Sequence, residues 1–479
     1  MKKIPARQCI WSSLIVLLLL LLTSCSQSQQ SPSPVDTAPP TSTPPHAPQP
    51  TRTQAPTATS TIEPSPTPSA TQITATNLQG ITITFWHPWS KNKEYATLAL
   101  VNKFNASNEY GIMVTAFSQG SKTYQNVSSV LGSKDAPQVV VGYNNQIQSW
   151  DNQSGQVLDL NAYINDPEWG LSPEIQGDFY PIIWEQDTNG AGKRLGMPVY
   201  RSGTVIFYNQ TWAQELGFNT PPTTPNELHE QACAAAEANN DSTGGLLITT
   251  DISTNMSWVM AFGGGFLNKS ETGYQAVTPE NEAAFTFLRT LLDEGCAWVP
   301  DAYYPNQEFA TRRGLFYPSS IAGLPYQESA FTDANRFDQW TALPFPGVDG
   351  APVINLYGPA YSILQSTPEQ QLASWIFVKW LLQPENQAAF IKASGYFPVS
   401  VSALDALEEY AANNPRWSQA IEFIPYAQIE PAFGSWGVGR WAFGDAMEEL
   451  LSPDFSSSQI SALLANLEAR LTEIHTEQP

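Results

Sequence analysis

The chain has 479 residues, 14% of them charged and 11% aromatic, and its 44 acids against 22 Lys and Arg give a net charge of −22. Soluble proteins average about 25% charged residues, so this chain is aromatic-rich, sparsely charged and strongly acidic. That balance excludes nucleic acid as a partner, because neutralising a phosphate backbone takes basic patches; the acidity reads as solubility at a cell surface.

At the N-terminus, Lys2, Lys3 and Arg7 precede an unbroken apolar run from Leu14 that ends in Leu22-Thr23-Ser24-Cys25. The run is far shorter than the ~20 residues a spanning helix needs, so it reads as a cleaved secretory signal. The small Thr23 and Ser24 admit a peptidase, and Cys25 supplies a thiol for acylation. Residues 1–24 are therefore expected to be a lipoprotein signal peptide and Cys25 the lipidated start of the mature chain. That chain would lie on the outer face of the cytoplasmic membrane, with 19 cations against 44 acids and a net charge of −25.

Residues 25–78 form the next segment. Twelve of the 39 prolines fall between Ser26 and Asn77, with no Phe, Trp or Tyr. Such a stretch cannot build a core, and runs such as Pro64-Ser65-Pro66-Thr67-Pro68 favour extended polyproline-like backbone. It reads as a stalk that holds a globular body off the membrane, or as a spacer without mechanical purpose.

The composition changes at residues 79–479, where 14 of the 15 tryptophans lie. About 400 residues is too long for one ordinary core and suits two lobes. Ile81–Phe85 alternates as a strand, Glu94–Phe104 reads as a helix, Ile112–Phe117 as a strand, Tyr124–Leu131 as a helix and Val139–Val141 as a buried strand. This β-α-β-α-β order predicts a parallel sheet with helices on both faces, and ligands on such sheets bind at the carboxyl ends of the strands. Trp86, His87, Trp89, Tyr143 and Asn144 are placed there.

Farther on, Met197–Asn209 is long for one strand and reads as a crossing between lobes. Helices are predicted over Asn226–Ala238 and Pro279–Gly295, the second with Phe285, Leu288, Leu291 and Leu292 on one face. Gly263-Gly264-Gly265 reads as a loop. Leu372–Leu382 is a helix that breaks and restarts at Gln383-Pro384-Glu385-Asn386.

Cysteine and histidine usage narrows the chemistry. With Cys9 in the signal and Cys25 lipidated, the body keeps Cys233 and Cys296, read as a disulfide in an oxidising compartment, with two unpaired core thiols as the alternative. His46 lies in the stalk and His475 in the tail, so a zinc site or catalytic triad would have to recruit His87 or His229, and neither lies in a recognisable motif. Gly190-Ala191-Gly192 does not continue as G-x-G-x-x-G, and no P-loop is present. No metal and no cofactor are expected.

From Ile81 to about Leu471 the residues resemble the family 1 extracellular solute-binding proteins of bacterial ABC importers, in the branch that handles sugars and sn-glycerol 3-phosphate. The matching pieces occur in family order: Ile83-Thr84-Phe85-Trp86-His87, Leu158-Asp159-Leu160, Phe207-Tyr208-Asn209, Leu216-Gly217 and Pro221-Pro222-Thr223. Leu381-Leu382-Gln383-Pro384-Glu385-Asn386 and Gly395-Tyr396-Phe397-Pro398-Val399 complete the set. Pro225 departs from the family, which usually has tryptophan there, and weakens the helix start.

The resemblance implies an α/β, two-lobed periplasmic-binding-protein-like fold of type II, each lobe a mainly parallel sheet flanked by helices. The first lobe would span about 79–197 and 343–395, the second about 198–342 and 396–479. It also implies solute capture in an interlobe cleft and delivery to an ABC permease by a monomer. Carried over residue by residue, the cleft takes Trp86 and His87 from the first lobe, Ser202 and Ser319 or Ser320 from the second, and Gly358, Tyr396 and Arg440. Tyr143, Trp258 and Trp436 join them as aromatics in loop-like positions, and ion pairing is the alternative role for Arg201 and Arg440.

Ser202, Ser319 and Arg440 resemble phosphate-ester contacts, whereas the tryptophans and low charge favour a neutral carbohydrate, with Trp86 or Trp436 stacking on a ring face. Two other classes compete: a secreted glycoside hydrolase drawing on Asp166, Glu168, Asp178 or Glu185, and a surface adhesin or scaffold.

Overall fold

The computed structural model describes residues 75–240 and 243–477. The expected signal, Cys25 and the stalk up to residue 74 lie outside the described residues, and the body forms one compact unit. Its strands are β1 (Thr82–His87), β2 (Met113–Ser118), β3 (Val139–Tyr143), β4 (Met197–Pro198), β5 (Ser202–Asn209), β6 (Gly244–Leu247) and β7 (Ala297–Trp298), followed by β8 (Gly314–Ser320), β9 (Trp340–Leu343), β10 (Phe345–Pro346), β11 (Pro352–Tyr357), β12 (Pro359–Ile363) and β13 (Ala427–Gln428).

β1 alternates as its sequence demands, burying Ile83, Phe85 and His87 on one face. The helix that follows, Lys91–Ser107, buries Thr97, Leu100, Val101 and Phe104, the i, i+3, i+4, i+7 stripe of an amphipathic helix. It packs Phe104 against Phe377 of the helix Pro368–Leu381 at 5.0 Å between ring centroids. β1 pairs in parallel with β2 and β3, as the β-α-β-α-β pattern predicts. β12 then joins β3 antiparallel, and the first sheet runs β2-β1-β3-β12-β4.

The second sheet runs β10-β11-β5-β8-β6-β7, with β9 on β5 and β13 on β11. Its centre is β5, all eight residues buried, and β8, β9 and β11 all pair with it antiparallel. Both sheets are thus mixed, and the second departs from the mainly parallel arrangement expected of each lobe. A strand buried on both faces loses its alternation, so its pairing direction left no trace in the pattern.

Met197–Asn209 does cross between the lobes: Met197 pairs Tyr361 in the first sheet and Ser202 pairs Tyr357 in the second. The return crossing falls at Gly358, between β11 and β12. Residues 343–357 therefore belong with the second sheet, and the boundary expected near 343 moves to 358. A third crossing lies alongside, where Arg201 and Phe397 form a β-bridge. Gly358 has no room for a side chain, since a Cβ there would meet the Tyr200 carbonyl oxygen at 2.3 Å.

Arg201 ties this junction together. Its Nη1 donates to the Tyr200 and Pro359 carbonyls at 3.0 Å each, its Nε to Gln186 Oε1, and its Nη2 pairs with Asp187 at 2.6 Å. Burial raises the Asp187 carboxyl against the pull of Arg201. In the second lobe, the helix Pro225–Asn239 starts in a capping box: Thr224 Oγ1 accepts from Glu227 N, and Thr224 N donates back to Glu227 Oε2. Pro225 sits at the first helical position, where its missing N–H costs nothing. The departure expected to weaken this helix instead suits its start.

Candidate ligand-binding cleft

Where β1 and β3 end, the chain turns into the pocket. Trp89, Lys93 and Tyr143 from the first lobe, with Tyr200, Pro359 and Tyr396 from the crossings, are among the residues lining a cavity of about 310 Å³. Tyr200 and Tyr396 stack face to face, ring centroids 4.0 Å apart and 1° from parallel. Lys93 Nζ donates to Tyr396 Oη at 3.3 Å, and burial lowers the Lys93 ammonium against the opposing influence of Tyr326. Gln146 Oε1 accepts the Tyr143 backbone N–H at 3.1 Å, fixing the turn from β3 into the next helix. Protein crowds Tyr143 although 41% of its surface stays open, and desolvation pushes its phenol up to about 12.

The second lobe contributes a polar wall. Glu430 accepts from Ser253 Oγ (2.7 Å), Asn355 Nδ2 (3.0 Å) and Trp436 Nε1 (2.8 Å). Burial would raise its carboxyl, but Arg440 and these donors outweigh that and hold it below the usual range. Arg440 Nη2 donates to Ser253 Oγ at 2.8 Å, with its Nε 3.7 Å from Glu430. Desolvation opposes the Arg440 charge, while Glu430, Tyr143, Asp251 and Tyr357 raise its pKa. Tyr143 is a first-lobe residue, so the two walls face each other.

Beside this wall, Asp251 Oδ1 caps the helix Ile252–Ala261 by accepting from Thr254 N, and its Oδ2 accepts from Tyr303 Oη at 3.3 Å. Tyr303 and Tyr304 sit edge to face, 4.7 Å apart, exposing 52% and 69%. Tyr304 feels Asp251, Tyr396 and Tyr326, so these rings share one electrostatic neighbourhood.

Of the residues expected in the cleft, Tyr143, Tyr396 and Arg440 meet there. Trp86 does not: it packs against the Val127 and Trp150 cluster on the far face of the first sheet. His87 is fully buried, stacked on Trp89 at 5.2 Å, and desolvation lowers its pKa to about 4, so it is a neutral core residue. Strand alternation sends these two side chains to opposite faces, and the pocket is reached by Pro88 and Trp89.

Trp258 and Trp436 expose 1% each in the second-lobe core, Trp258 against Phe345 and Trp436 donating to Glu430. Neither presents a face to the cleft. Gly358 packs the crossing. Ser202 is buried opposite Tyr357, and Ser319 and Ser320 pair with Val205 and Thr204 at the end of β8. Sequence reasoning missed Lys93, Tyr200, Asp251, Tyr304, Tyr326 and Glu430. The one signal for them was the Tyr303-Tyr304 doublet between Pro300 and Pro305, an aromatic pair in a proline-flanked loop.

Two of the four carboxylates weighed for a hydrolase, Asp166 and Asp178, are held in structural hydrogen bonds. Asp166 Oδ1 accepts the backbone N–H groups of Glu168 and Trp169 at 2.8 Å each, and Asp178 accepts from Ser402 N at 2.9 Å.

Residues 99–416 match the bacterial extracellular solute-binding protein family. The chain belongs to that family. It is a binding protein and not an enzyme, which overturns the hydrolase alternative. A putative binding protein of Brucella abortus (strain 2308) is 22% identical over 292 residues, 59% of this chain and 67% of that one. Among solved structures, a cyclic α-maltosyl-1,6-maltose binding protein from Arthrobacter globiformis superposes with a TM-score of 0.71 at 21% identity, covering 83% of this chain and 99% of that one. A sugar-binding protein from Xanthomonas citri reaches 0.70 at 18% identity, covering 83% and 98%. A Mycobacterium tuberculosis protein in complex with glycerophosphocholine reaches 0.66 at 22% identity, covering 83% and 99%. These likenesses give the two-lobed fold. Among the described residues no helix is long and apolar enough to cross a membrane.

Proposed function

We propose that this solute-binding protein captures a neutral carbohydrate between its lobes and delivers it to the permease of an ABC importer, while held to the membrane by lipid on Cys25. The observation that carries the reading is the make-up of the facing walls: the rings of Tyr143, Tyr303, Tyr304 and Tyr396, with a few fixed polar groups from Asp251, Arg440 and Lys93. Sugars offer flat C–H faces to aromatic rings and hydroxyls to such groups. Stacking thus passes from the expected Trp86 and Trp436 to tyrosines.

A phosphate dianion needs more than one free compensating charge or a set of backbone donors. Here Arg201 is paired with Asp187 and Arg440 lies beside Glu430, which leaves Lys93 as the cation of the pocket wall without a carboxylate within 4 Å among the described residues. That disfavours sn-glycerol 3-phosphate; a related phosphodiester, which shares that alternative, carries one negative charge and is set against the sugars in the panel below. A ligand touching both walls favours the closed arrangement by the contacts it makes only there.

A thermal-shift panel of mono- and oligosaccharides, polyols, sn-glycerol 3-phosphate and glycerophosphocholine tests the reading. At a hundredfold excess over Kd, stabilisation of about 2.7 kcal/mol is expected from a sugar. A response confined to the phosphate compounds would replace the carbohydrate with a phosphate ester, and no response from any of them would count against a small-solute role.

A further inference from the structure

Away from the cleft, at the edge of the second sheet, His229, Cys233, Glu294 and Cys296 bring one nitrogen, one carboxylate oxygen and two sulfurs within 4.8 Å of one another. The sequence explains the convergence. His229 and Cys233 lie one turn apart on one face of the helix Pro225–Asn239. Glu294 and Cys296 flank Gly295, whose φ of +72° turns the chain out of the helix Pro279–Asp293 into β7. His229 Nε2 already lies 2.6 Å from Glu294 Oε2, and the two cysteines are joined as a disulfide.

Tetrahedral zinc, with Zn–S near 2.3 Å and Zn–N or Zn–O near 2.0–2.1 Å, sets its ligand atoms roughly 3.3–3.8 Å apart. The four atoms already lie within 4.8 Å of one another, and opening the sulfur–sulfur bond lets the two sulfurs part to the spacing that this arrangement requires. Two thiolates, an imidazole and a carboxylate form a donor set that suits zinc. The side chains of His229 and Glu294 are 33% and 50% exposed, so an ion has a path in.

We propose that His229, Cys233, Glu294 and Cys296 form a redox-gated zinc site, closed while the disulfide stands and filled by one zinc ion after reduction. A dithiol reductant delivers two electrons and two protons to the sulfur–sulfur bond, which breaks to give two thiols as the reductant becomes a disulfide. Zinc then displaces both thiol protons to solvent as two Zn–S bonds form, while His229 donates a nitrogen lone pair and Glu294 a carboxylate oxygen. A two-electron oxidant of the disulfide class takes the electron pair back, re-forms the bond and expels the ion. In either state helix and strand remain cross-linked.

The test uses the full-length protein, reduced with a phosphine that is then removed, and titrated anaerobically with zinc or cobalt(II) alone. The reduced protein is expected to take up one zinc per chain and the oxidised protein none at this site. Cobalt should give thiolate charge-transfer bands in the near ultraviolet and the visible spectrum of a tetrahedral centre. His229→Ala and Glu294→Gln, whose folds are checked in the oxidised state, should each weaken zinc binding by at least about tenfold, the loss that even outer-shell changes produce. Zinc uptake by the oxidised protein with the same sensitivity to these substitutions, an octahedral cobalt spectrum, or no uptake after reduction overturns the proposal. Loss of native circular dichroism on reduction overturns it too, because the site needs helix and strand in place.

Discussion

Tyr304 exposes 69% of its surface beside Asp251, whereas Trp258 exposes 1% inside the second-lobe core. Substituting each with alanine should separate binding from stability. Tyr304→Ala is expected to lower sugar affinity about tenfold, the scale of one lost aromatic contact of roughly 1.5 kcal/mol, and to leave the melting temperature unchanged. Trp258→Ala should cost about 3–5 kcal/mol in denaturant unfolding, the usual range for emptying an aromatic core site. His87 yields a pH prediction. Its imidazole ionises near 6.5 in the unfolded chain and at about 4 in the fold, so the unfolded state binds the proton first. The stability tied to its neutral form is complete above about pH 6.5, falls as pH drops and is gone below about pH 4, a total of about 3 kcal/mol. Denaturation midpoints at pH 7 and 4.5 should converge in His87→Phe relative to the parent. Position at the end of the first strand and the family resemblance placed Trp86 and His87 in the cleft; which face of β1 each occupies depends on what packs there, and that is settled by helices distant in sequence.

Among elements, the first sheet was readable because β1, β2 and β3 are short, apolar and separated by helix-length segments. Its antiparallel β12 and the pairing of the second sheet were not. β5 is buried throughout and carries no period, and its partners β8, β9 and β11 come from a stretch more than a hundred residues downstream. Thr224 caps the helix that begins at Pro225, and Thr224→Ala should cost about 1 kcal/mol, read as a drop in unfolding free energy. At the crossing, Gly358→Ala forces a methyl group against the Tyr200 carbonyl, 2.3 Å from where the Cβ would stand. Overpacking of this kind costs about 1–3 kcal/mol. Because Tyr200 lines the pocket, ligand affinity should fall together with the melting temperature.

For the whole molecule, the proposed lipid anchor on Cys25 predicts that Cys25→Ser releases the protein from membranes, measured by fractionation, with solute affinity unchanged. A neutral ligand also predicts a Kd that barely responds between low and high salt, since screening acts on charges alone. The binding cleft was the least legible part of the sequence. Lys93, Asp251, Tyr304 and Glu430 lie far apart along the chain, and each is unremarkable until the crossings bring the lobes together. Those crossings also set a lever. The inner pocket is walled by Tyr200, Pro359 and Tyr396, which are parts of the pivot or lie against it, so a given rotation of the lobes displaces its walls little. The exposed Tyr303, Tyr304 and Tyr326 are not among the residues of that wall, and side chains farther from the pivot sweep through a longer arc in the same rotation. A monosaccharide seated at the pivot would gain few contacts from closure. A ligand long enough to reach the exposed tyrosines would gain most of its contacts from it, so chain length would govern how completely the lobes shut.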